Sequence, residues 1–576
     1  MSAQREDKRE NGRNILIVGG VAGGASAAAR LRRNSEKDRI IMFEKGPHVS
    51  FSNCSLPYYL SGEIEDAEDL VLMDPELFLK QYNIEARISQ EVMAIDREKK
   101  SITVKNLVSG ESYTESYDKL ILSPGAAPMV PAISGSDQVN LFTVRNVVDI
   151  ERLHQYLRAV PSMEVAVIGG GFIGVEVAEN LRKAEYKVTL IEGTNQILRP
   201  YDYDMVQILH KEISDNGVEL IIEDTVSGFE KDTVMLSSGR RIAAGAVVMA
   251  VGVAPETRLA VEAGLELGET KAIKVNSDFQ TSDPDIYAVG DAIEVSNALN
   301  NKGMKLSLAG PALKEARRAA DSINGRKHKE LSFIGSSAIK VFDLNAAATG
   351  LNEAQIKALE PKLSYNFVRI ILNDKVGLMP DASPLHFKLF FEVPSGQILG
   401  AQAIGKGDVT KRIDVIAAAM KFGGTVKDLT ELELSYAPPF STAKDIVNYA
   451  GYVGSNLLNG DYLQVNVDTV RELLEKGNLI IDVREKGEYA RGHIKGAVNI
   501  PLSELRERVS EIPKDRAVYL HCRTGQRSYN AVKALQNLGY TEVYNITGSF
   551  LGLSYYEYFN DKRLNREKIV TEYNFR

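Results

Sequence analysis

Cysteine is the scarcest reactive residue in this chain: only Cys54 and Cys522 occur among 576 residues. Two thiols so far apart do not make a disulfide framework, so each has to be read by itself. Tryptophan is absent, and the seven histidines show no metal-ligand spacing, which removes the usual zinc arrangements. No apolar run approaches membrane-spanning length, and residues 1–13 are charged and lack the apolar segment of a secretory leader. Positive charge is not in excess. A net charge of −8 and a pI near 5.7 argue against a broad nucleic-acid or membrane footprint while leaving room for a local basic pocket. These absences predict a cytoplasmic protein with no nucleic-acid or membrane partner, opened by a disordered tail over 1–13.

What is present is ordinary globular composition, 44% hydrophobic and 25% charged, in a chain too long for one core. Its length suggests roughly three to five domains. From Asn14 an apolar strand runs into Gly19-Gly20-Val21-Ala22-Gly23-Gly24 and a small-residue helix, and the next strand ends at Glu44. Such a turn brings backbone amides and a helix N-terminus to a pyrophosphate, and the acid accepts bonds from a ribose. Val21 replaces the middle glycine, so this copy alone is weak. A second copy, Gly169-Gly170-Gly171-Phe172-Ile173-Gly174 with Glu192 closing the following strand, carries all three glycines. Two tandem mononucleotide folds predict two dinucleotides. Glu192 favours NADH over NADPH, because a carboxylate repels a 2′-phosphate. Small-residue crossovers follow at Ser123-Pro124-Gly125 and at Gly252.

Cys54 sits in Ser50-Phe51-Ser52-Asn53-Cys54-Ser55-Leu56-Pro57-Tyr58-Tyr59, about ten residues past the first acidic strand end. A lone cysteine is either a small buried hydrophobe or a nucleophile for a compound brought from outside. Cys522 ends a strand, and six residues from Cys522 to Arg527 close a loop that runs into a helix. Inward amides, a helix N-terminus and a guanidinium can hold an anionic persulfide there.

The order of these parts, completed by Thr281-Ser282-Asp283-Pro284-Asp285-Ile286-Tyr287-Ala288-Val289-Gly290-Asp291, resembles the pyridine nucleotide-disulfide oxidoreductases. The resemblance implies two tandem Rossmann-like dinucleotide-binding domains, an α+β dimerisation domain and, from the Asp482-Val483-Arg484, Gly492-to-Pro501 and Cys522-to-Arg527 segments, a C-terminal rhodanese-like α/β domain. The expected layout is FAD domain 14–123 and 256–332, NAD(P)H domain 124–255, dimerisation domain 333–453, linker 454–463 and rhodanese domain 464–576. By the same resemblance Gly19, Val21, Ala22, Gly24, Glu44, Lys45, Ser50, Asn53, Ser123, Pro124, Gly125, Asp291, Ala309, Gly310 and Pro311 line the FAD site. Gly169, Gly171, Phe172, Ile173, Gly174, Glu192 and Gly252 line the nicotinamide site, and Tyr436, in Tyr436-Ala437-Pro438-Pro439, crosses to the partner's flavin in a homodimer. The six-residue Cys522 loop fits sulfur transfer. A phosphatase loop would need arginine at Ser528.

Where dithiol reductases carry a second cysteine, this chain has Tyr59, and Ser50-Phe51 through Tyr58 resembles coenzyme A disulfide reductases. The resemblance implies catalytic roles for Cys54, Cys522, Tyr436 and Arg527, with CoA as substrate or bound ligand. Gly377-Leu378-Met379-Pro380 lacks the second tyrosine of those reductases, which favours a CoA persulfide or another low-molecular-weight persulfide over a disulfide. The expected reaction is NADH-dependent persulfide reduction releasing hydrogen sulfide, fed by the rhodanese domain. CoA disulfide reduction, a single-cysteine NADH peroxidase or oxidase, and a persulfide sensor without turnover are the alternatives. Arg30 and Arg33 on the first helix are weak CoA candidates.

Overall fold

The computed structural model describes residues 12–160, 163–329, 331–359 and 361–575. The predicted tail lies outside them as far as residue 11. Arg13, counted in that tail, is fixed: its guanidinium bonds Asp38 and donates to the Ile323 carbonyl at 2.7 Å.

The chain falls into two compact units, Met1–Gly193 with Asp224–Gly335 and Thr194–Glu223 with Ser336–Arg576. In the first, strands Asn14–Val18, Arg39–Phe43, Glu85–Arg87, Lys119–Leu122 and Ile286–Ala288 form a parallel sheet with Asn14–Val18 in the middle. Ile15, Leu16 and Ile17 are fully buried, as expected of a strand covered on both faces. A second parallel sheet sets Lys187–Glu192, Glu164–Ile168, Ala246–Met249 and Leu141–Phe142 side by side. The two crossovers read from the sequence pair with each other, Ala126–Pro128 antiparallel to Val253–Pro255. Segment 281–291 returns the chain to the first sheet, Ile286–Ala288 beside Leu120–Leu122.

The two glycine turns share one packing feature. Helices Ala22–Asn34 and Phe172–Lys183 approach their turns so closely that a Cβ on Gly24 would lie 1.8 Å from the Gly19 carbonyl oxygen, and one on Gly174 1.9 Å from that of Gly169. No side chain caps either helix N-terminus. Their first amides therefore stay open to an anion.

In the second unit, antiparallel strands Ser336–Val341, Leu344–Gly350, Ile398–Gly405, Pro384–Glu392 and Tyr365–Asn373 form one sheet in that spatial order, with helix Val409–Lys421 packed against it. The helix expected from Thr442 begins at Ile446, where Asp445 supplies a capping box with Asn448. It runs to Leu458, so the expected linker loses 454–458 to its last turns. A parallel sheet, Leu463–Val465, Val543–Ile546, Val518–His521, Leu479–Asp482 and Val498–Asn499, closes the chain. The terminal residues, given no role from the sequence, pack onto this domain: Val570 pairs with Ile494 and the Tyr573 hydroxyl bonds Asp561.

Segment Thr194–Glu223 joins this unit through a buried charge cluster. Asp204, on helix Tyr203–Asp215, meets Arg369 and Lys388, each side chain only 1% exposed, and accepts from Asn466 at 3.2 Å. Burial opposes ionisation of Asp204, yet Arg369 and Lys388 hold its carboxyl well below the usual carboxylate range. Because its folded pKa is depressed, its contribution is present above the unfolded carboxylate pKa, about 4, and is lost as pH falls below it. Asp204→Asn leaves two buried cations under-compensated and is expected to cost about 3–5 kcal/mol, seen as a lowered calorimetric melting temperature. The difference in melting temperature between wild type and variant is expected to be constant above about pH 5, to begin narrowing below about pH 4, and to keep narrowing as pH falls toward the depressed folded pKa.

Candidate active site

The first cradle is a cleft of about 280 Å³ lined by Gly19, Val21, Glu44, Lys45, Ser123, Pro124, Gly125 and Arg145 among others. Glu44 accepts from the amides of Gly20 at 2.9 Å and Gly46 at 2.8 Å, which holds the acid over the glycine turn with acceptor capacity to spare. The second cradle repeats the device, with the Gly170 amide donating to Glu192 at 2.7 Å. Asp291 follows the strand Ile286–Ala288 in a short 3-10 turn, and its carboxylate has no hydrogen-bond partner among the described residues. Burial raises its pKa, against the pull of Arg145. An acid left without a hydrogen-bond partner at a strand end and two open helix N-termini over glycine turns fit two dinucleotides.

Several expected residues sit around this cleft. Ser50 adopts a left-handed φ of 50° and its amide bonds the Gly20 carbonyl at 2.8 Å. Ser123 donates its amide to Val18 at 2.8 Å, and Gly252 accepts from Met129 at 2.9 Å. The helix expected from Ala312 begins three residues earlier, so that Ala309, Gly310 and Pro311 form its first turn. Glu315, unnoticed in the sequence, accepts from the Gly290 amide at 2.7 Å and fixes the turn that presents Asp291. Ala22 starts the first helix; Phe172 and Ile173 start the second. One expectation fails: Arg30 bonds Asp321 through two nitrogens at 2.7 and 2.9 Å, so its charge is satisfied within the fold, while Arg33 is merely exposed.

Cys54 stands in a 3-10 turn, Asn53–Ser55, that leads into helix Leu56–Ser61. It is exposed, which sets aside the reading as a buried hydrophobe. With its amide oriented to satisfy both contacts, Asn53 accepts from Arg145 at 2.5 Å and donates to the Arg145 carbonyl at 3.0 Å. Tyr59 packs its ring 4.6 Å from that of His154. Helix Leu56–Ser61 lies along Phe172–Lys183, tied by Ser61 to Asn180 at 2.7 Å. One turn before Asn180 that helix carries Glu176, another residue not singled out in the sequence. Partial desolvation raises the Cys54 thiol pKa first, and the charges of Glu176 and Asp291 raise it further. Glu176 is itself pushed up to about 7, by burial and then by Glu179.

Cys522 occupies the opposite environment. It follows the central strand Val518–His521 of the last sheet, 1% exposed, and its Sγ accepts from the Gly525 amide at 3.1 Å with the Ser528 hydroxyl 3.6 Å away. Helix Gln526–Asn537 starts at this loop, and the first amides of helix Ser549–Leu564 bond the carbonyls of Cys522 and Arg523. Arg527 is not devoted to the sulfur alone: it forms a fork with Glu488 at 2.6 and 2.8 Å, and Glu488 and Cys522 together raise its pKa. Arg484 is bound to Asp482 at 2.6 Å and to the Gly492 carbonyl at 2.8 Å.

Tyr436 is half-exposed in the second unit, where it lines a cleft with Lys411, Arg412 and Phe440. Leu378, in the segment that lacks the second tyrosine, is 91% exposed. Among the described residues no helix is long and apolar enough to cross a membrane, and no group of three potential metal ligands occurs.

Two dinucleotide cradles beside one accessible cysteine, followed by a cysteine loop on a parallel sheet, define a nicotinamide-linked oxidoreductase with a sulfurtransferase-type domain. The chain belongs to the pyridine nucleotide-disulphide oxidoreductase family: that family's model matches residues 13–316, its dimerisation domain matches 336–446, and a rhodanese-like domain matches 466–554. The family joins FAD to a nicotinamide dinucleotide, as the two cradles require. The chain is 34% identical over 439 residues to a coenzyme A disulfide reductase of Staphylococcus epidermidis, covering 76% of this chain and 99% of that protein. It is similar to the reduced CoADR-RHD of Bacillus anthracis at 46% identity and a TM-score of 0.92, over 95% of this chain and 98% of the other. An NAD-dependent persulfide reductase from A. fulgidus matches at 32% identity and a TM-score of 0.88, over 93% and 99% of the two chains.

Glu176 raises the Cys54 pKa by its charge, so Glu176→Gln is expected to lower it. The rate of iodoacetamide labelling at Cys54, followed against pH in Cys522→Ser protein, will then rise at a lower pH than with Glu176 in place.

Proposed function

We propose that this protein reduces the persulfide of coenzyme A, releasing hydrogen sulfide, and that its rhodanese domain supplies the sulfane sulfur. The observation that carries this reading is the contrast between the two thiols: Cys54 is exposed beside the first cradle with no second cysteine near it, and Cys522 is buried in a loop whose amide already bonds its sulfur. The similarity to coenzyme A disulfide and persulfide reductases supports a CoA-linked substrate.

Sulfur chemistry then divides between the two sites. At Cys522 a sulfane sulfur is held as Cys522–S–S⁻, stabilised by the Gly525 amide and Arg527. Coenzyme A attacks the outer sulfur, the S–S bond breaks toward Cys522, and the products are CoA–S–SH and the Cys522 thiolate. At Cys54 the thiolate attacks the CoA-bound sulfur of the persulfide, which expels HS⁻ and leaves a Cys54–S–S–CoA disulfide. Gly19, Glu44, Gly125 and Asp291 would hold FAD and Gly169, Gly174 and Glu192 NADH, which together would supply two electrons; with these and one proton the Cys54–S–S–CoA bond is cleaved to the Cys54 thiolate and CoA–SH. Glu176, pushed up to about 7, is placed to hold a proton near Cys54. The exposed Leu378, Tyr436 and Phe440 and the matched dimerisation domain support a homodimer in which Tyr436 reaches the partner's site.

Replacing Cys54 by serine is expected to cut NADH oxidation with CoA persulfide by at least about a thousandfold, since nucleophile removal commonly costs that much. Thiosulfate:cyanide sulfur transfer should persist. Cys522→Ser should do the reverse, sparing reduction of added CoA persulfide. Equal loss of both activities in either variant refutes the division of labour, and stalling after one equivalent of NADH would favour the sensor reading.

A further inference from the structure

The loop that holds Cys522 is crowded with guanidinium groups, and their partners differ. Arg484 is nearly fully buried and bound through Nε and Nη2 to Asp482 and the Gly492 carbonyl, with its guanidinium 4.1 Å from the Phe550 ring centroid. Arg527 is engaged by Glu488 through both terminal nitrogens. Arg523, the residue next to Cys522, is half-buried, and its guanidinium makes no hydrogen bond or ion pair with any described residue. Its backbone is fixed, because the Leu551 amide donates to its carbonyl at 3.0 Å.

The surroundings make that lone cation costly to leave unmatched. Burial lowers the pKa of Arg523, the charges of Arg484 and Arg527 lower it further, and Glu488, already claimed by Arg527, offers partial relief. A half-buried guanidinium with no hydrogen-bonded or ion-paired partner of its own, carried by the residue next to the loop cysteine, can receive an anion. The planar fork of arginine suits phosphate, and the gain falls on whichever reactant carries one.

We propose that Arg523 anchors a phosphate of the thiol that takes sulfur from Cys522, so that this site selects a phosphorylated thiol such as coenzyme A over a phosphate-free one. The inference rests on the CoA-linked reading above and adds to it the group that recognises the acceptor. Glu488 sharpens the choice. Its carboxylate is hydrogen-bonded to Arg527, so of the two arginines in the loop Arg523 is the one left for an acceptor's phosphate. No redox change accompanies the transfer: CoA–SH and Cys522–S–S⁻ give CoA–S–SH and Cys522–S⁻.

The test compares acceptors that share a thiol arm but differ in phosphate, using the full-length protein with thiosulfate as donor. Coenzyme A, pantetheine and cyanide are offered in turn, and KM and kcat are measured for each. Arg523→Gln is expected to raise KM for coenzyme A about tenfold, the scale of one charge-assisted contact. It should leave kcat with coenzyme A, and both constants for pantetheine and cyanide, within twofold. Arg523→Lys, which keeps the charge and loses the fork, should recover part of the loss. Equal KM values for coenzyme A and pantetheine in the wild type, or an Arg523→Gln effect common to all three acceptors, overturns the proposal and assigns Arg523 to loop structure. If the wild type passes sulfur to cyanide but not to coenzyme A, while still reducing added CoA persulfide with NADH, both this proposal and the feeding step fail and the reductase reading stands.

Discussion

The close approach of a helix to a glycine turn, made twice, is the constraint from which the catalytic unit follows. At Gly24 and Gly174 a single added carbon would collide with the carbonyl of the glycine five residues earlier. Only hydrogen fits, so each helix begins directly over the end of its central strand and leaves its first amides without side-chain partners. The acid at the end of the neighbouring strand is then drawn onto the turn: Glu44 bonds the Gly20 amide and Glu192 that of Gly170. An anion site and a ribose acceptor are therefore placed by one steric fact. Asp291, at the return of the chain to the first sheet, adds a third group at the same strand ends.

The two cysteines are set in different surroundings, one exposed and one buried. Cys54 is reachable from solvent and faces carboxylates that favour its protonated form. A thiol so placed is roused when a substrate or a change in its neighbours offsets that charge, which suits a nucleophile that must wait for its partner. Cys522 is buried, with the Gly525 amide donating to its sulfur and Arg527 close enough to be influenced by it. On the function proposed, the first site forms and breaks a bond to an incoming compound and the second stores a sulfur atom between encounters.

Much of the fold was legible because its signals are local. Glycine turns, an acid at a strand end and the six residues from Cys522 to Arg527 are readable from spacing, since backbone sterics act over a few residues. The residues that tune the site were not, because their partners are distant in sequence. Glu488 reaches Arg527 across 39 positions, and Asp204 meets Arg369 across 165. Glu176 had a faint signal, an acid in the apolar first half of its helix two residues after Gly174, and its meaning appears only once helix Leu56–Ser61 is laid against it. Arg30 shows the converse. A cation on the cofactor helix looked available, and Asp321, 291 residues on, had already claimed it.

The same accounting of partners gives the domain order a physical sense. Cys522 is 1% exposed and its sulfur is bonded to its own loop, so a bulky group has little access to it. Sulfur leaving that loop has to be collected by something slender and mobile. A small thiol on a flexible arm meets the requirement, and its persulfide is the compound that an exposed, solitary cysteine beside a two-electron donor is suited to cleave. On the function proposed, joining a closed sulfur store to an open reducing site in one chain makes sense when a diffusible thiol passes between them, because the carrier then leaves one site already in the form that the other consumes.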